Sequence, residues 1–64
     1  MLENHLYNLM EQAVEESKSL WRIKNTYKKD ASDCSSCKAF WDQLEEDKED
    51  HIKELQELIK IHLG

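Results

Sequence analysis

Leu2, Leu6, Leu9, Ala13, Leu20, Ile23 and Tyr27 recur along the first half of the chain at spacings of three and four residues, with Glu16 in the one place where an apolar residue is missing. This is a heptad seam, the pattern by which one face of an α-helix is buried. Tyr7, Val14 and Trp21 repeat every seven residues beside the seam and widen it. A stripe of that width suits a helix of a bundle better than a strand of a two-stranded coiled coil. A second seam runs through Cys37, Trp41, Leu44, Lys48, His51, Leu55, Leu58 and His62, flanked by Phe40, Ile52, Ile59 and Ile61. The two seams predict helices from about Glu3 to Lys29 and from about Cys34 to Leu63, joined by a turn at Asp30-Ala31-Ser32-Asp33. Ser32 or Asp33 is the expected N-cap of the second helix, because a short polar side chain there can accept from an orphan backbone N–H. Early acidic and late basic residues suit the dipole of each helix, and Glu49 with Lys53 forms a favourable i,i+4 pair.

A short connection lays two helices side by side and antiparallel. With Ala31 taken as the pivot, Lys18 and Arg22 face the acidic start of the second helix. Glu16 stands fifteen residues before Ala31 and Asp47 sixteen after it. The single break in the first seam therefore falls level with the break in the second, Leu44-Glu45-Glu46-Asp47-Lys48-Glu49-Asp50-His51. Two seams interrupted at one height make a polar layer shared by both helices. A lone hairpin would leave half of its apolar stripe in water, so the expected architecture is all-α: an antiparallel two-helix hairpin dimerising into a four-helix bundle.

Composition sharpens this picture. The chain has 64 residues, a single unit too short to bury a comfortable core without a partner, metal or disulfide. It contains no proline, and its one glycine is Gly64. The net charge of −5 argues against general nucleic-acid binding. Lys24, Lys28 and Lys29 read as a solvated helix end. No apolar run approaches a membrane span. The opening Met-Leu-Glu-Asn-His lacks the order of a signal peptide, so a cytoplasmic location with reduced thiols is expected.

The polar layer has two readings. In one, Glu16, Asp47 and His51 are metal ligands. Two copies of each in a symmetric dimer would make a plausible set for iron or another divalent cation. In the other, Glu16 and Lys48 form a buried ion pair that fixes register and oligomeric state, and the protein is a non-enzymatic module whose surface recruits an unidentified protein partner. The stretch Leu44 to His51 resembles the second-helix motif of the ferritin-like and rubrerythrin-like proteins, a Glu-x-x-His pair following a leucine. Ala13-Val14-Glu15-Glu16-Ser17-Lys18-Ser19-Leu20-Trp21 is similar to their first helix with its inward ligand Glu, and the turn after Tyr27-Lys28-Lys29-Asp30-Ala31 is similar to their connecting loop. The resemblance implies a carboxylate-bridged iron site used in iron oxidation, storage or peroxide reduction, reached by dimerisation of single hairpins. Glu16 and His51 match ligand positions. Lys48 stands where the family has its second-helix Glu, and Asp47 is the neighbouring carboxylate.

Cys34-Ser35-Ser36-Cys37 is a Cys-x-x-Cys at an expected helix N-terminus, where the dipole favours a thiolate. It admits a redox dithiol or half of a metal site completed by another chain. It equally admits Cys37 as a small core residue beside a capping Cys34. No βαβ pattern surrounds it. Trp21, Trp41, Phe40, Tyr7 and Tyr27 read as core or interface aromatics, and His5 and His62 as a rim pair brought level by the fold. There is no nucleophile–base constellation and no Gly-rich phosphate loop, so any enzymatic role rests on the polar layer or the thiols.

Overall fold

The computed structural model describes residues 3–63, so Leu2 at the head of the first seam lies outside the described residues. It is all-α, with no strand among those residues. Helix α1 spans Asn4–Arg22, a π-helical segment spans Ile23–Tyr27, a single further turn α2 spans Lys28–Asp30, and α3 spans Ser35–Leu63. The first three run on without a break in helical backbone, so the long apolar period of the first half is realised as one rod.

The π-helical segment is what the sequence pattern does not announce. Its wider turn is closed by the Lys28 N–H donating to the Ile23 carbonyl, five residues back. The Asn25 side-chain amide donates to the Trp21 carbonyl at 2.9 Å, giving that oxygen a partner where the ladder changes pitch. One extra residue in a helix turns everything after it by about 100°. Ile23, fully buried, sits where the pitch changes. Beyond it both Tyr27 and Lys28 are half-buried, although an unbroken α-helix would give only one of them to the seam. Tyr27 packs its ring on Trp41 of α3, with centroids 4.9 Å apart.

The connection is tighter than expected and its cap is different. The Ser32 N–H donates to Lys29 O at 3.2 Å and the Cys34 N–H to Ala31 O at 3.0 Å, so the turn closes on Cys34. The Cys34 carbonyl accepts from the Lys38 N–H at 2.9 Å, the first backbone bond of α3, and its sulfur accepts from the Cys37 N–H at 3.3 Å. Those two bonds define an N-cap. The cap is therefore Cys34, where Ser32 or Asp33 was expected, with a thiol in the place usually held by a hydroxyl or carboxylate.

Contacts between the two long segments run in opposite order. His5 meets His62 edge-to-face at 4.7 Å between centroids, Glu16 meets Lys48 and His51, and Lys28 meets Asp42 and Glu45. The His5–His62 and Glu16–His51 pairs both centre between Asp33 and Cys34, further along than Ala31. That offset, created by continuing helix to Asp30 and turning over Ala31 to Cys34, brings Glu16 between Lys48 and His51.

The molecule measures 47 × 17 × 13 Å. With helices about 10 Å across, its thinnest dimension is one layer, and what is buried lies in the seam between the helices. Leu6 and Ile23 are the buried apolar residues among those described, and Glu16 is the buried charged one. The heptad edge beside the first seam is open to solvent: Tyr7 is 52% exposed, Val14 50% and Trp21 62%. No described helix is long and apolar enough to cross a membrane.

Candidate functional site

Glu16 is the centre of the polar layer. Its position in the heptad seam aims it at α3, and only 6% of it reaches solvent. Lys48 Nζ donates to Glu16 Oε2 at 2.5 Å, and His51 Nδ1 lies 3.1 Å from Glu16 Oε1. Lys48 and His51 are three residues apart on α3 and so share a face. Each carboxylate oxygen has its own donor, and no buried side-chain polar atom among the described residues lacks a partner. The hydrogen bond from Lys48 is the main cause of a Glu16 acidity stronger than the ordinary value of 4.5. Burial opposes it, while the Lys48 charge and the His51 contact reinforce it. A carboxylate only accepts, so the proton on the Glu16–His51 bond sits on Nδ1.

Asp47 takes no part in this arrangement. It is one position off the seam, half-exposed, and its Oδ1 accepts from Gln43 Nε2 at 3.0 Å on its own helix. Of the three residues expected as metal ligands, the fold brings together Glu16 and His51. Among the described residues no group of three His, Cys, Asp or Glu side chains gathers to hold a metal. A cation at Glu16 would also compete with the Lys48 ammonium, which already occupies Oε2. Within one chain these donors do not fit a carboxylate–histidine iron site.

A second ionic link lies nearer the turn. Lys28 Nζ is 2.7 Å from Asp42 Oδ1 and 3.1 Å from Glu45 Oε1. The hydrogen bonds that Lys28 donates, to Asp42 first and then Glu45, raise its pKa above the ordinary value. Lys18 and Arg22 were expected to face the acidic start of the second helix. Lys18 instead lies 3.7 Å from Glu15 on its own helix, and the residue that reaches across is Lys28. The π-helical segment explains the exchange, since it turns Lys28 from the expected solvated end towards α3.

Cys34 and Cys37 are free thiols at the head of α3. They line an open cleft of about 310 Å³ together with Tyr27, Asp30, Ala31 and Trp41. His5 and His62, in mutual contact at the other end of the molecule, have no third His, Cys, Asp or Glu gathered with them among the described residues. No protein-family model matches the chain, and neither a curated protein nor a solved structure is significantly similar to it.

The Glu16 environment sets a pH dependence. Its carboxyl is more acidic folded than unfolded, so it contributes stability above the unfolded value of about 4.5 and loses it as pH falls through the lower folded value. In thermal melts, native protein is expected to exceed Glu16→Gln in stability at pH 6 to 7, with the gap closing below about pH 4. A gap that stays constant across this range would show that Glu16 titrates alike in both states.

Proposed function

We propose that the chain is an antiparallel helical hairpin that pairs with a second copy into a four-helix bundle and serves as a non-enzymatic interaction module. The Glu16–Lys48–His51 layer sets the register in which the two helices close. The observation that carries this reading is the open edge of Tyr7, Val14 and Trp21 on a molecule only 13 Å thick. Heptad-spaced aromatic and branched residues half or more in water are expensive to leave unburied, since each large side chain is worth about 1.5–3 kcal/mol when covered. A single layer has nothing of its own with which to cover them. A second copy supplies a matching stripe at no cost in new sequence, and the isologous geometry of a two-fold dimer brings the same edge from each side. Phe40 and Leu58 of α3, also exposed, extend the apolar surface onto the second helix.

The ion pair suits the role of a register device better than that of a source of stability. Desolvation of Glu16 consumes much of what its bonds return, so the pair contributes little net energy. A hairpin slipped by one turn, however, would bury Glu16 against an apolar residue with no donor. The penalty for an unpaired buried charge, several kcal/mol, then falls on the wrong register alone.

Sedimentation at micromolar concentration is expected to give a dimer, and Val14→Glu or Trp21→Glu a shift to monomer, with loss of concentration dependence in the melting temperature. A folded monomer for the native chain would remove the pairing step. Anaerobic titration of the native dimer with Fe(II) is expected to give no heat above buffer. Saturable binding that disappears in Glu16→Ala would replace this reading with the ferritin-like one.

A further inference from the structure

The thiols at the head of α3 lie outside the polar layer and are not needed for pairing. Their arrangement has features that plain structural cysteines lack. Cys34 is the N-cap, and its sulfur accepts from the Cys37 backbone N–H at 3.3 Å and lies 3.5 Å from the Ser36 hydroxyl. An anion at this atom faces the positive end of a 29-residue helix with no acidic residue in its first turn. Cys37, at the third position of the helix, is exposed. By helix geometry residues three apart have Cα atoms about 5 Å apart, inside the range of about 4.4–6.8 Å that a disulfide spans. The cleft beside the pair is walled by Tyr27, Trp41 and Ala31 and open to solvent, so a bulky reactant can approach the sulfur over an apolar surface.

We propose that Cys34 and Cys37 form a thiol–disulfide exchange site that reduces disulfides of peptides carrying apolar residues beside the cystine, with Cys34 as nucleophile and Cys37 as the resolving thiol. The Cys34 thiolate attacks one sulfur of the substrate disulfide. The substrate S–S bond breaks, a mixed disulfide to Cys34 forms, and the displaced thiolate takes up a proton. Cys37 then loses its proton to water and its sulfur attacks Cys34 Sγ, expelling the second substrate thiolate. The substrate disulfide gains two electrons and two protons, and the two protein thiols lose them in becoming the Cys34–Cys37 disulfide.

The roles follow from the geometry. Cys34 receives the stabilising bonds while Cys37 gives them, so the negative charge gathers on Cys34. Its acidity agrees: hydrogen bonds from the Cys37 thiol, then from Ser36 and the Cys37 backbone, bring Cys34 from 9.0 down to about 7. The same bond to Cys34 and the charge there push Cys37 up from 9.0. One thiol is then about half ionised at neutral pH and the other is kept protonated until the mixed disulfide removes the charge beside it.

The test uses the full native chain. Alkylation with iodoacetamide at pH 7, read by peptide mass, is expected to modify Cys34 about fivefold or more faster than Cys37, the larger thiolate fraction outweighing its lower intrinsic nucleophilicity. Incubation with a cystine-bridged peptide bearing Leu or Phe beside the cystine is expected to yield the Cys34–Cys37 disulfide and reduced peptide. Cys37→Ser is expected to stop at a stable mixed disulfide on Cys34, while Cys34→Ser, which keeps a capping oxygen and hence the helix, forms none. Faster reaction with the apolar peptide than with oxidised glutathione supports the cleft as the recognition surface. Equal rates with both would overturn the assignment of peptides as the substrate. Equal alkylation of the two thiols, or a mixed disulfide that forms on Cys37 in the Cys34→Ser variant, would overturn the site itself.

Discussion

The contact of Lys48 with Glu16 is the constraint on which the proposed register of the two helices rests. A carboxylate with only 6% exposure is tolerable on one condition, that each of its oxygens meets a donor, and here Lys48 and His51 supply them from a single face of α3. In the proposed register device, a slip of four residues along α3 would set Leu44 and Asp47, or Ile52 and Leu55, against that carboxylate in place of its two donors. Apolar contacts in this chain are less discriminating. Leu and Ile repeat along both seams, and one repeat fits another almost as well. The polar layer is therefore the proposed register device, and the ring contacts of His5 with His62 and Tyr27 with Trp41 lie at either side of it.

Much of this was legible in the sequence, and for a physical reason. A heptad seam records which face is buried, and a charged residue within it marks a place where the partner surface must answer. Glu16 and Lys48 were visible in that way. The height at which they meet was not, because it depends on how many residues the turn consumes and on where the helix changes pitch. A π-helical segment leaves no periodic trace five residues long. It turns Lys28 inward to Asp42 and Glu45, while the turn over Ala31 to Cys34 sets Glu16 between Lys48 and His51. Asp47 is at the right height, but one position off the seam its carboxylate turns to Gln43 on its own helix.

The N-cap illustrates a different limit. Cap preferences favour Ser32 and Asp33, yet the chain caps α3 with Cys34, since the turn closes through Ala31 O and leaves the sulfur pointing back at the Cys37 N–H. Propensity ranks residue types, whereas the turn geometry chooses the position. The consequence is chemical, because the group that completes the helix end is also the more acidic of the two thiols. The proposed nucleophile is thus also the atom that caps α3, while at Glu16, nearer the middle of the rod, a charge is held between two donors.

The account stands most directly on the energetic coupling of Glu16 to Lys48. Urea unfolding of the native chain, Glu16→Gln, Lys48→Met and the double variant, all at one protein concentration, measures that coupling free of the separate effects of each change. A coupling of about 1–3 kcal/mol, with the double variant at least as stable as either single one, is the predicted result. Additive effects, with a coupling near zero, would mean that the pair does not govern how the helices close and would contradict the account.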